Sequence, residues 1–109
     1  MNEEIKEIDV LELSSKIKNN EKIVLLDVRS LEEYNHSNIP ESIHEPLDQL
    51  ENQLSKYDSS LTYILQCRSG GRSFKAAQIL KSNGFNDVYN LKGGLLDWSD
   101  KIDPSIEVF

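Results

Sequence analysis

Short apolar runs alternate with amphipathic segments along this chain of 109 residues, and that alternation restricts the possible folds more than any other feature. Runs such as residues 23–26 and 63–65 are too short for core helices and continuous enough to be strands buried on both faces. Strands joined by helical crossovers build a mostly parallel sheet with helices on both faces, so an α/β fold is predicted. The strands fall at residues 23–26, briefly about Ile43, at 63–65 with their flanks, and at 88–91. Asp9 with Glu12 starts a helix carrying Leu11, Leu13 and Ile17, and Ser30-Leu31-Glu32-Glu33 forms a capping box. Further helices are expected over residues 47–54 and 73–80, the last closed by Asn83-Gly84 in a left-handed stop. Lys92-Gly93-Gly94 reads as a turn, since it lacks the Ser or Thr that follows the lysine of a phosphate-binding glycine motif. The tail after Ile102 shows no periodicity, and with no linker or repeat the chain is expected to be one domain over residues 1–109.

The formal net charge is -7. An acidic body repels phosphate at a distance, so neither nucleic acid nor an anionic membrane is an expected partner, and any anion site must be local. The opening segment, residues 1–7, lacks the basic and apolar regions of a secretory signal, and no stretch is long and apolar enough to span a bilayer. The expected compartment is the cytoplasm. Cys67 is the only cysteine, which excludes an intramolecular disulfide and a zinc cluster of thiolates. No metal and no organic cofactor is expected. The lone thiol is either core filler or chemistry, and its neighbours decide between them.

The apolar run ending at Gln66 is followed at once by Cys67-Arg68-Ser69-Gly70-Gly71-Arg72-Ser73 and then by a helix. Cys67 is thereby placed at the carboxyl end of a strand, where open α/β sheets hold ligands in front of helix N-termini. Gly70 and Gly71 accept backbone angles closed to other residues, so the loop can curl until its N–H groups, that of Ser69 included, converge on one spot. A helix N-terminus and nearby arginines lower a thiol pKa from about 8.5 by one to several units. Cys67 is therefore the candidate nucleophile. Arg68 and Arg72 supply forked cations that suit oxyanions such as sulfonate or thiosulfate. Ser73, the predicted N-cap, has a hydroxyl to offer the sulfur. Asp27 and Arg29, between a strand and a helix, are expected to support the site by capping and by an ion pair beneath the loop. His36 and His44 are expected to be solvated, and Phe74 and Trp98 to belong to the core.

The loop from Cys67 to Ser73 resembles the active-site loop of rhodanese-family sulfurtransferases. Leu25-Leu26-Asp27-Val28-Arg29 followed by Glu33-Tyr34 is similar to that family's first signature, and Ile39-Pro40 through Pro46-Leu47 to the segment after it. Val88-Tyr89-Asn90-Leu91-Lys92-Gly93-Gly94, closed by Trp98, is similar to its C-terminal signature. The likeness covers nearly the whole chain in order. It implies a rhodanese-like sheet, and it makes Asp27 or Glu33 the candidate partner of an Arg72 that orients the loop. Ser37-Asn38 stands where the family often has Gly-His, Glu41-Ser42 where Ile-Pro is usually followed by glycine and a small residue, and His44-Glu45 where asparagine and an apolar residue are usual. These departures lie away from the sulfur loop.

The implied activity is a two-step transfer in which Cys67 takes a sulfane sulfur from thiosulfate or a low-molecular-weight persulfide and passes it to cyanide, a small thiol or a protein cysteine. A sulfur-accepting protein is thus an expected partner beside small donors and acceptors; the oligomeric state stays open, a monomer being compatible with the sequence. A persulfide carrier that turns over slowly is the first alternative. A phosphatase or arsenate-handling relative is the second, disfavoured because phosphatase-type loops place an arginine where this chain has Ser73, and because a resolving cysteine is missing.

Overall fold

The computed structural model describes residues 4–109; Met1, Asn2 and Glu3, part of the opening segment considered above, lie outside the described residues. In chain order the elements are β1 (Lys6–Ile8), α1 (Val10–Lys18), β2 (Val24–Asp27), α2 (Leu31–His36), β3 (Ile43–His44), a 3-10 helix (Leu47–Lys56), β4 (Thr62–Gln66), α3 (Gly71–Ser82), β5 (Asp87–Leu91) and α4 (Gly94–Lys101). The strands form one parallel sheet in the order β1-β5-β4-β2-β3. The predicted α/β fold is the observed one.

β4 is central because every one of its residues after Thr62 is buried, as a strand covered on both faces requires. Its side chains alternate between two cores. Tyr63, Leu65 and Cys67 pack with Leu26, Leu50, Ala76, Ala77, Leu80 and Val88 under α3 and the 3-10 helix. Ile64 packs with Leu13, Leu25, Ile39, Leu91, Leu95 and Trp98 under α1 and α4. Local signals set the helix ends: the Asp9 side chain accepts the Glu12 N–H at 2.8 Å, the Ser30–Glu33 capping box is formed, and Gly84 ends α3 at φ +88°. α2 buries no residue fully, so it is held by polar contacts to the sheet end.

Three expectations are revised. Residues 47–56 wind as a 3-10 helix; the i, i+3 spacing of Leu47 and Leu50 suits either kind of helix, but the further step to Leu54 pointed to an α-helix. β1 was not predicted. It is a three-residue edge strand with a single buried side chain, Ile8, too short for an alternating pattern. Lys92 and Gly93 form the predicted turn, but Gly94 does not belong to it: Gly93 at φ +79° caps α4, a helix not predicted, and Gly94 is its first residue.

Candidate active site

Cys67 is the first residue beyond β4 and is 1% exposed. The chain turns at Gly70, whose φ of +113° lies in the left-handed region, and enters α3. That turn aims two backbone donors at the sulfur: the N–H of Gly70 at 3.1 Å from Sγ and the N–H of Ser73 at 3.3 Å. The Ser73 hydroxyl also lies 3.3 Å from Sγ. Ser73 is not the N-cap; Gly70 is, and Ser73 sits in the first helical turn, where its N–H has no partner within the helix and is free for the sulfur. Gly71 is not part of the turn either. Its backbone is ordinary and a Cβ there would meet nothing within 4 Å, so only Gly70 uses a conformation peculiar to glycine.

Burial pushes the Cys67 thiol up, but the Ser73 hydroxyl and the N–H groups of Ser73, Gly70 and Ser69 outweigh burial and hold it below its ordinary value. Arg72 grips Glu33 with both arms, at 2.6 and 2.9 Å. The Arg72 guanidinium, aided by the Ser30 N–H, holds the Glu33 carboxyl down at about 2 against burial. One carboxylate therefore serves two elements, capping α2 and fixing the loop. Of the two candidate partners for Arg72, Glu33 is the one found. Asp27 instead binds Arg29 through Nε and Nη2 at 2.9 and 2.7 Å, both residues being buried. The expected ion pair is present, and rather than capping α2, Arg29 donates to the Ser37 carbonyl at 2.7 Å, tying the end of α2 to β2.

Arg68, the expected anion contact, makes no contact with the sulfur among the described residues. Its Nε donates to the Phe109 carbonyl on the exposed rim. His36 stacks on Phe109 with ring centres 3.9 Å apart, and its Nε2 lies 3.1 Å from Glu107 Oε1. His44 is not a solvated residue: it stacks on Tyr34 and its Nε2 is 2.8 Å from the Arg29 carbonyl. Trp98 lies in the core, whereas Phe74 is 40% exposed at the start of α3, contrary to expectation, because it shares the outer face of that helix with Lys75 and Gln78 while Ser73, Ala76, Ala77 and Leu80 take the buried one. A cavity of about 420 Å³, with Ser30, Pro46, Leu47 and Arg72 among its walls, opens on the β2 side of the loop.

Two residues that sequence reasoning passed over hold the loop. Asn90, buried on β5, donates through Nδ2 to the Gly70 carbonyl at 3.1 Å and accepts the Ser73 hydroxyl at Oδ1 at 2.5 Å. Its signal was a polar residue inside the apolar run 88–91. Gly94 lets the N-terminus of α4 press onto the loop: Leu95 N–H donates to the Cys67 carbonyl at 2.8 Å and Leu96 N–H to the Arg68 carbonyl at 3.1 Å. A Cβ at Gly94 would lie 2.5 Å from the first of these oxygens and 2.6 Å from the second. Its signal was Leu95 and Trp98 at helical spacing after the glycines.

The profile of the family described as Rhodanese-like domain matches residues 9–101. YtwF of Bacillus subtilis (strain 168) is 35% identical over 101 residues, 93% of this chain and 97% of the relative. A protein named Sulfurtransferase from Allochromatium vinosum is 30% identical over 87% of this chain and 89% of its own length. Some relatives are longer; the chain spans 52% of YrkF from the same Bacillus strain. A solved structure of a rhodanese-like domain protein from Staphylococcus aureus superposes with a TM-score of 0.83 at 30% identity, covering 96% of this chain and 99% of that one.

Proposed function

The chain belongs to the rhodanese-like domain family, and we propose that it is a sulfurtransferase in which Cys67 carries the sulfur. The observation that carries this reading is the convergence of the Gly70 N–H, the Ser73 N–H and the Ser73 hydroxyl on one buried sulfur. Such a ring favours negative charge on sulfur as an oxyanion hole favours it on oxygen. The Cys67 thiolate attacks the outer sulfur of thiosulfate or a low-molecular-weight persulfide. An S–S bond forms from the thiolate lone pair, the donor's own bond to that sulfur breaks, and its electron pair leaves with sulfite or thiolate. In the second half an acceptor lone pair, from cyanide, a small thiol or a protein cysteine, takes the terminal sulfur, and the S–S electrons return to Cys67 as thiolate.

The roles follow from position. Ser69, Gly70 and Ser73 supply donors; Gly71 and Arg72 begin the helix that presents them, with Arg72 anchored on Glu33. Arg68 serves an incoming anion once it exchanges the Phe109 carbonyl for the ligand. Asp27 and Arg29 support the floor. The whole chain, residues 1–109, acts as one domain in the cytoplasm; among the described residues no helix is long and apolar enough to cross a membrane.

The test is an intact-mass spectrum after brief exposure to thiosulfate or glutathione persulfide, beside Cys67→Ala. The expected result is a gain of one sulfur that requires Cys67 and is removed by cyanide. Loading without catalytic turnover would make the domain a carrier. A folded protein that no donor loads overturns the proposal, and Cys67-dependent hydrolysis of an aryl phosphate would replace it with the phosphatase reading.

A further inference from the structure

Ser73 has one hydroxyl proton and two neighbours that accept it. Its Oγ lies 2.5 Å from Asn90 Oδ1 and 3.3 Å from Cys67 Sγ, and Ser73 and Asn90 are 0% and 3% exposed. The Asn90 amide has only one orientation open to it. Nδ2 donates to the Gly70 carbonyl at 3.1 Å, and turning the amide over would set two carbonyl oxygens against each other at that distance. Oδ1 therefore faces Ser73, and an amide oxygen only accepts. Among the described residues Ser73 is its one donor. While the proton rests on Asn90, the Ser73 oxygen turns a lone pair to the sulfur, an arrangement that suits a thiol S–H and opposes a thiolate. When the proton swings to the sulfur it supports a thiolate and leaves a buried amide oxygen without a donor, which costs free energy.

We propose that Asn90 is a positioning residue that acts on Cys67 through the Ser73 hydroxyl, competing with the sulfur for that one proton. The inference rests on Cys67 as the nucleophile described above and adds how its reactivity is set. The hydroxyl follows the charge: it serves Asn90 while Sγ is a thiol and turns to Sγ in the thiolate. It returns to Asn90 in the persulfide, where one of the three lone pairs of the Sγ thiolate has become the new S–S bond and the charge has moved to the terminal sulfur, leaving Sγ a neutral and weaker acceptor. Asn90 thereby disfavours the bare thiolate relative to both the resting thiol and the loaded enzyme.

A thiol titration of the intact protein, read by ultraviolet absorbance of the thiolate with Cys67→Ala as the blank for tyrosine, tests this without any sulfur donor. Asn90→Leu frees the hydroxyl for the sulfur and is expected to lower the thiol pKa by about half a unit to one unit. Ser73→Ala is expected to raise it, and Ser73→Ala/Asn90→Leu to titrate with Ser73→Ala alone, because Asn90 then has nothing to act through. Ser73→Thr, which keeps a hydroxyl, is expected to restore the response to Asn90→Leu. The charged groups around the sulfur stay the same throughout: Arg68 and Arg72 on the loop, Glu33 on α2, and the Asp27–Arg29 pair. If Asn90→Leu does not fold, Asn90→Ala must show the same pattern. A pKa that rises or holds still in the Asn90 variant, or a shift of equal size in the Ser73→Ala background, overturns the inference and leaves Asn90 as a clamp on Gly70. Failure of the sulfurtransferase reading shows elsewhere, as absence of the added sulfur mass.

Discussion

Two glycines of the site make a matched pair whose replacement by alanine should give effects of opposite sign. At Gly94 the backbone has φ +58°, and a Cβ would enter the space of the Cys67 and Arg68 carbonyl oxygens at 2.5 and 2.6 Å. A non-glycine residue in that conformation costs about 1–2 kcal/mol. Backing α4 away from the loop forfeits the hydrogen bonds from Leu95 and Leu96 N–H, at about 1 kcal/mol each. Gly94→Ala should thus destabilise by on the order of 3–4 kcal/mol, a large part of a typical domain's 5–15 kcal/mol. Gly71 has ordinary helical angles and open space around it. Gly71→Ala should stabilise by about 0.5–1 kcal/mol, because alanine has less backbone freedom to lose.

The assay is urea unfolding of both variants, with the Cys67 thiol titrated in each. Gly94→Ala releases the two carbonyls that orient the first peptides of the loop, so the thiol pKa should rise by about one unit as the sulfur loses aligned donors. Gly71→Ala should leave the titration unchanged. If Gly94→Ala unfolds within about 1 kcal/mol of the unaltered protein, or keeps its low thiol pKa, then α4 does not hold the loop and the close approach is incidental.

The buried Asp27–Arg29 pair, with side-chain exposures of 0% and 2%, should cost about 3–5 kcal/mol when Asp27→Leu strands the arginine, and less when Arg29→Leu is added; urea midpoints of the single and double variants decide it. Glu33 is depressed to about 2 from 4.5. Its contribution is fully present above the unfolded value near 4.5 and is lost as pH falls toward 2. After discounting for solvent around the half-exposed Arg72, acid should remove about 1–2 kcal/mol through this group, and Glu33→Gln should flatten that part of the stability–pH curve. Arg72→Lys, which keeps the charge but not the two-armed grip, should raise the Cys67 pKa by a fraction of a unit as the loop loosens, checked by the same thiol titration.

What was legible before the structure followed the physics that acts locally. The sheet could be read chiefly because β2 and β4 are buried on both faces and so carry continuous apolar runs at residues 23–26 and 63–65, and the capping box of α2 because Ser30 and Glu33 satisfy each other within one turn. The loop could be placed because a glycine-containing polar segment follows a buried strand at once. The contacts that set its geometry were less visible, since each joins residues far apart in the chain: Asn90 reaches Ser73 across 17 positions, and Arg72 reaches Glu33 across 39. Composition also misleads where one residue type has two uses. Gly70 and Gly71 look alike in the sequence, yet only Gly70 is left-handed. Gly93-Gly94 looks like a turn, although the small size of Gly94 is what brings the α4 N–H groups onto the Cys67 and Arg68 carbonyls. The spacing of Leu95 and Trp98 marks the helix that follows but not why it must open on a glycine, so the purpose of Gly94 appears only when the oxygens it spares are seen in place.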